Sequence, residues 1–571
     1  MNVRSDRWVQ GDDEVALDSR VALRMGGAPV NAEGGKPIIG IANSSSDLNP
    51  CNQPLDDLVA PLREGIIEAG GIPLTFPVMS LGEDLIKPSA MLYRNLLSME
   101  LEESLRSQPL DGVVIMAGCD KSVPGALMGA FSTDLPSLLV VAGPRPVAEF
   151  EGRRLGTGTD LWRSWDERRA GQMSDERWHA FEDALTQGRG TCNTMGTASS
   201  MGVIGEALGL AWPGSTSITS GDPRHQKIAH LVGRRIVALV REGARASSQV
   251  TRGALMNSLV VLSAVGGSTN AVVHLTAMAG RLGLNVTLDD VDRISRRTPV
   301  LVDVEPSGRG LMEDFDADGG VPTVLRALGD RLDGDVLMAD GCTVAQVQAR
   351  ATAPRGVVRR LDNPVDSEGA FRVVRGNLAP DGALIKRSAA SQSLLRYQGP
   401  AYVIRGFDEL ASRTGPESSC PEDAVLVFAG AGPVGGPGMP EWGMVPIPQP
   451  LLARGVRDMV RVTDARMSGT SYGTVFLHVA PEAAVGGAIG RVRDGDVITV
   501  DADAGVLRVE LSEDELANRR ADWPLVGTQG RGYVSLYRRH VTQAPDGCDF
   551  DFLVQTPGVA PHLSEPVVGR S

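Results

Sequence analysis

This chain has little cysteine, few aromatic residues, no excess of positive charge and no long apolar run, and each shortage excludes something. Six cysteines in 571 residues, at 51, 119, 192, 342, 420 and 548, are too sparse for a disulfide scaffold. In a reducing compartment they are expected to be thiols or metal ligands. Lysine and arginine number 56 against 70 aspartates and glutamates, a net charge of −14. That balance lacks the basic surface that nucleic acid or an anionic membrane requires. Runs such as "SLLVVAG" and "NSLVVLSAVGG" fall far short of the ~20 residues of a bilayer span. The first twenty residues hold no continuous apolar core, so neither signal peptide nor anchor is expected there. Cytoplasm is the expected compartment.

What is abundant is glycine, 68 residues or about 12% of the chain against ~7% ordinarily. Glycine at that density implies many tight loops where backbone approaches a ligand. The first third alternates two periodicities. "KPIIGIA", "IPLTFPV", "DGVVIMAG" and "LPSLLVVAG" are short apolar runs that read as buried strands. Between them, "LDDLVAPLREGIIEAGG" and "PSAMLYRNLLSMELEESLRS" repeat apolar residues at helical spacing. The alternation predicts an α/β domain with a parallel sheet and helical additions over residues 1–365. Residues 145–190 read as a helical excursion on the surface, and 352–370 as a linker. Short β-type runs ("AYVIRGF", "DAVLVFAG", "GDVITVDA", "GVLRVEL") then predict a β-rich, barrel-like domain over 366–571.

The chemistry gathers in loops after predicted strands, where open α/β sheets bind ligands. "NSSSDLNPCNQP" carries Cys51, "AGCDKSVPG" carries Cys119, Asp120 and Lys121, and "GRGTCNTMGTASSMG" carries Cys192 ahead of a helix. Three thiolates distant in sequence suit either zinc with an open position or an incompletely ligated iron–sulfur cluster. Any one of them could equally be a small buried hydrophobe. Glu83 and Asp84 follow the second strand, and Glu441 lies in the glycine- and proline-rich "AGAGPVGGPGMPEWGM". Such oxygen ligands suit magnesium, although a lone carboxylate is commonly a solvated charge and Lys121 could be a counter-ion to Asp120. "VTDARMSGTSYGTVF" could cradle an oxyanion. "GGSTN" is either a helix cap or a ligand loop, and His274 beyond it reads as core.

In this order, "PCN", "GCDKSVPG", "GTCNTMGTASSM", "GGSTN", "RGNLAPDGALIK", "GPVGGPGMPE" and "DARMSGTSYGT" resemble the dihydroxy-acid dehydratase / phosphogluconate dehydratase family. The details look closest to its aldonate branch, the arabinonate and xylonate dehydratases. The resemblance implies a 2Fe–2S cluster on Cys51, Cys119 and Cys192, with one iron left open. It implies Mg2+ on Glu83, Asp120, a carbamylated Lys121 and Glu441, with Asp84 the rival of Glu83. Ser468 aligns with the family's base and Thr470 with a residue that positions substrate. Gln53-Pro54 follow "PCN", where sugar-acid members carry Gly-His, and this leaves substrate choice open.

The implied reaction is β-elimination of water from a 2,3-dihydroxy acid, a sugar acid before a branched one, giving a 2-keto-3-deoxy acid. Ser468 belongs to the second predicted domain and the cysteines to the first, so the site is expected between them. A homodimer or homotetramer is the expected assembly. A structural zinc protein and a small-anion-binding module are the readings from other classes.

Overall fold

The apolar runs become strands because alternate residues find a helical layer on each side. A computed structural model describes residues 3–520, 530–555 and 563–566; positions 521–529, 556–562 and 567–571 of the expected second domain lie outside the described residues. Strands β1 (Ile38–Asn43), β2 (Ile72–Pro77), β3 (Gly112–Met116) and β4 (Ser137–Val140) form a parallel sheet in the order β2-β1-β3-β4. Ile39, Ile41, Val114, Met116, Leu138 and Val140 share one core with helices Asp56–Glu68 and Arg224–Arg241. Ile38, Val113, Ile115 and Leu139 point the other way, into the core under Arg94–Ser107 and Ser122–Thr133. The first helix pair meets backbone to backbone. A Cβ on Gly65 would stand 2.0 Å from the carbonyl oxygen of His230, so only glycine permits that crossing.

Strands β5 (Ala148–Phe150) and β6 (Arg153–Leu155) make a small hairpin. Eight further strands close a barrel: β7 (Phe371–Gly376), β8 (Ala379–Lys386), β9 (Arg396–Arg405), β10 (Val425–Ala429), β11 (Arg461–Thr463), β12 (Val475–Ala480), β13 (Val497–Asp501) and β14 (Val506–Val509). Their order round the barrel is β10-β11-β12-β8-β7-β14-β13-β9. Val374, Ile385, Val403, Val427, Val462, Phe476, Ile498 and Leu507 help to fill its core. The fold is thus the α/β layer plus barrel that the periodicities predict.

Two segments differ from expectation. Residues 352–370 are no free linker. Val358 and Asp366 bridge to Val302 and Val300, and the buried Asp318 carboxylate accepts from the backbone of Gly356 and Val358 at 3.0 and 2.7 Å. Residues 145–190 are not confined to the surface. Helix Thr159–Arg169 buries Thr159, Asp160 and Ser164, because Thr159 Oγ1 donates to Thr470 O across the two halves at 2.9 Å. The chain also ends its described course against the first half. Arg94 donates to Gly547 O and Cys548 O, both at 2.9 Å, and buried Arg281 pairs with Asp549 at 2.6 Å.

Candidate active site

The loops after β1, β2 and β3 each carry a candidate, Cys192 lies in the loop before helix Thr197–Ala207, and Glu441 and Ser468 follow the carboxyl ends of β10 and β11. Asn52 ties the first three loops together. Its Oδ1 accepts from the backbone N–H groups of Gly118 and Cys119 at 3.0 and 2.8 Å. Its Nδ2 donates to Ser44 Oγ, Ser122 Oγ and Ser80 Oγ at 2.9, 3.1 and 3.2 Å. A buried amide bonded on both sides holds its surroundings in one arrangement.

That arrangement brings the three called cysteines together. Cys51, and then burial, push the Cys119 thiol well above its ordinary range, and Cys119 Sγ donates to Asp120 Oδ1 at 3.5 Å. The backbone N–H of Glu83 also points to Cys119. Burial and then Cys51 raise Cys192, against the lowering pull of Arg145. Cys192 lies five residues before helix Thr197–Ala207, in the loop rather than at the helix start. Cys342, Cys420 and Cys548 lie elsewhere; Cys548 Sγ meets Met439 Sδ at 3.8 Å.

The carboxylates converge on Lys121, whose side chain is wholly buried. Its Nζ lies 2.7 Å from Asp120 Oδ2, 3.2 Å from Glu441 Oε1 and 3.7 Å from Glu83 Oε2. Burial alone would lower its pKa, but Asp120, Glu441 and Glu83 outweigh that and raise it. Burial pushes Glu83 up to about 7 in spite of Lys121. Glu441 ends below its ordinary range, since Lys121 and Arg466 overcome its burial. Asp84 is exposed and forms no ion pair with Lys121, so of the two rivals Glu83 faces the cluster. Among the described residues no three His, Cys, Asp or Glu side chains close on a point that could hold one metal ion; the ammonium stands where the carboxylates meet.

The motifs held further members of this cluster that their spacing did not single out. Arg466 NH1 donates to Glu441 Oε1 at 2.8 Å and NH2 to Ser89 Oγ at 3.0 Å. Asn270, the last residue of "GGSTN", donates to Glu441 Oε1 at 2.7 Å and to Met467 O at 3.1 Å. That loop is therefore a contact between the halves as well as a helix start. His274 is buried, with Nδ1 3.0 Å from Arg94 NH1, in keeping with a core role.

Ser468 and Thr470 sit on the turn after β11. Their hydroxyl oxygens lie 3.0 Å apart, and the Thr470 backbone N–H donates to Ser468 Oγ at 3.4 Å. Trp162 Nε1 donates to Thr470 Oγ1 at 3.3 Å. Indole nitrogen is only a donor, so the Thr470 hydroxyl proton is free to point at Ser468 Oγ. The turn presses on the Cys192 loop. A Cβ on Gly469 would stand 2.5 Å from Thr197 N.

The N-terminal profile of the dihydroxy-acid/6-phosphogluconate dehydratase family matches residues 36–347, and its C-terminal profile residues 356–548. The chain belongs to this family. It is accordingly an enzyme, a dehydratase. It is 46% identical to the 6-deoxy-6-sulfo-D-gluconate dehydratase of Pseudomonas putida, with 96% of each chain covered. It is 44% identical to the L-arabonate dehydratase of Azospirillum brasilense, over 97% of each. It is 37% identical to the dihydroxy-acid dehydratase of Leifsonia xyli subsp. xyli, over 93% of this chain and 96% of the relative. No helix among the described residues of this dehydratase is long and apolar enough to cross a membrane.

Proposed function

We propose that the enzyme dehydrates a sugar acid to a 2-keto-3-deoxy acid, using a 2Fe–2S cluster on Cys51, Cys119 and Cys192 and a magnesium ion on Glu83, Asp120, carbamylated Lys121 and Glu441. The observation that carries this reading is Glu83 Oε2, a buried carboxylate oxygen with no hydrogen-bond partner, aimed at the Lys121 cluster. An orphaned oxygen of this kind fits a divalent cation. The charges fit as well. Glu83, Asp120 and Glu441 against Lys121 and Arg466 leave one net negative charge. Carbamylation would turn the lysine from one positive to one negative charge, and a doubly charged cation would restore the balance. The three neighbouring thiols, none in a disulfide, are the donors that an iron–sulfur cluster takes.

When bound, these groups supply Lewis acidity at the substrate's carboxylate and at the departing hydroxyl. The chain's own residues do the rest. Ser468 Oγ removes the C2 proton, and the Thr470 backbone N–H, with the Thr470 hydroxyl when it turns its proton that way, stabilises its charge. Asn270 and Arg466 hold Glu441 in place. Trp162 fixes the Thr470 hydroxyl by occupying one of its lone pairs. The resulting enol tautomerises to the keto acid.

A branched-chain dihydroxy acid is the second reading, favoured by the Leifsonia relative. We place the enzyme in the cytoplasm, as a homodimer or homotetramer. Keto-acid formation across a panel of aldonates plus dihydroxyisovalerate tests the substrate. Turnover of dihydroxyisovalerate alone would replace the sugar-acid reading. A protein that is colourless, holds zinc and turns over nothing would overturn both.

A further inference from the structure

Among the described residues, the buried cations of the site are paired with carboxylates, and the exposed Lys87 donates to the backbone oxygens of Glu83 and Asp84. Lys121 and Arg466 lie among Asp120, Glu441 and Glu83, and Arg163 pairs with Glu305 and Asp160. Arg145, on the loop after β4, pairs with no carboxylate within 4.0 Å among the described residues. Its backbone N–H donates to Thr191 O at 2.8 Å, which fixes it beside the Cys192 loop. Its guanidinium has five N–H donors in a rigid fork. One hydrogen bond uses them, a long one to Leu185 O at 3.5 Å. The Nε is buried with no acceptor. Apart from burial, this is the foremost charge acting on Asp84 and the foremost cation acting on Cys192.

A half-buried fork with free donors, held at the edge of a carboxylate- and thiol-lined site, costs stability unless an anion meets it. The substrate's own carboxylate belongs with the magnesium pocket in the reading above, which leaves the outer donors of this fork open to a different anion. We propose that Arg145 binds an anionic group at the far end of the substrate, making it the residue that selects sugar acids with a terminal anion over those ending in a hydroxymethyl group. The inference rests on the sugar-acid reading. Carboxylate, phosphate ester and sulfonate all present paired oxygens that a guanidinium can take in bidentate fashion, whereas a neutral hydroxyl engages one donor.

The test measures keto-acid formation from D-gluconate, D-glucarate, 6-phospho-D-gluconate and 6-deoxy-6-sulfo-D-gluconate, which differ only at C6. At least one anionic acid should have a KM about tenfold or more below that of gluconate, the factor expected of one charge-assisted contact. Which one it is identifies the terminal group. In Arg145→Met that ratio should collapse toward one, and Arg145→Lys should restore part of it by charge without the fork. Iron content and visible spectrum should match wild type in both variants. A wild type indifferent to the C6 charge would overturn the proposal, as would Arg145→Met shifting every KM together or losing iron. If none of the acids yields a keto acid, the sugar-acid reading fails as well. If gluconate reacts without discrimination, only the role of Arg145 fails.

Discussion

Ser468 and Lys386 show how differently two polar side chains can be placed. The Ser468 hydroxyl oxygen accepts from the Thr470 backbone N–H and lies 3.0 Å from the Thr470 hydroxyl, and it contributes little packing. Ser468→Ala should therefore change stability by no more than about 1 kcal/mol and lower turnover about 10²- to 10⁴-fold, the worth of a general base. Exchange of the substrate C2 hydrogen with deuterated solvent, in a brown and magnesium-loaded variant, decides it. Exchange near the wild-type rate would leave Ser468 as a carboxylate cradle. Lys386 is buried at the end of β8 with no partner for Nζ among the described residues, and burial lowers its pKa from 10.5 to about 7. Above 10.5 both folded and unfolded chains hold the neutral amine. Between that value and about 7 the unfolded chain alone takes up the proton, so stability falls with falling pH. Lys386→Met should thus raise the midpoint of thermal unfolding, by an amount that grows from pH 10 down to pH 7. An equal gain at both would show that the amine finds a partner. Adjacent motif residues such as Cys119, Asp120 and Lys121 were legible because chemistry stood side by side in the chain. Arg145, Arg466 and Trp162 were not, since their partners lie in other loops and no spacing along the chain encodes those contacts.

At the level of elements, β1, β3 and β4 were readable because each is buried on both faces and so runs almost wholly apolar, whereas the edge strand β2 leaves Thr75 and Pro77 exposed. β7, β8 and β12 were harder to read. β7 carries Arg372 and Arg375, while β8 and β12 depart from regular pairing near Gly382 and Ala480. The three cysteine loops belong to this scale, because Asn52 and the Gly469 turn hold them as a unit. Replacing Cys51, Cys119 or Cys192 by serine should each abolish iron and sulfide binding, whereas the same change at Cys342, Cys420 or Cys548 should leave it intact. Full iron content in any of the first three would remove that cysteine from the site. The excursion over 145–190 is helical and largely exposed, as read, with Trp162 and Trp165 at the surface. What the sequence did not show is that Thr159 and Trp162 also bond to Thr470, a partner about 310 residues away.

On the scale of the molecule, the halves are joined by buried polar contacts as well as by apolar packing. Arg281 is fully buried and bonded to both oxygens of Asp549 at 2.6 and 2.9 Å, and it also meets Glu102, Ser132 and Ser98. Removing Asp549 takes away two charge-assisted hydrogen bonds and leaves buried Arg281 with Glu102 at 3.3 Å, at a cost of about 1.5–3 kcal/mol per bond. Asp549→Ala should therefore speed amide hydrogen exchange across 530–555, and with it in helix Arg94–Ser107. Unchanged exchange in both would show that the pair is not what fastens this segment.

The same contacts set an order of events during synthesis. Arg94 and Arg281 emerge from the ribosome more than 260 residues ahead of Gly547, Cys548 and Asp549, the groups that satisfy them. A nascent α/β layer can form its sheet early, yet it cannot bury those guanidiniums at low cost until nearly the whole chain is out. Glu441, Ser468 and Thr470 also arrive long after Cys192. Assembly of the site between the halves therefore follows synthesis of the barrel and of residues 547–549, not that of the α/β layer alone.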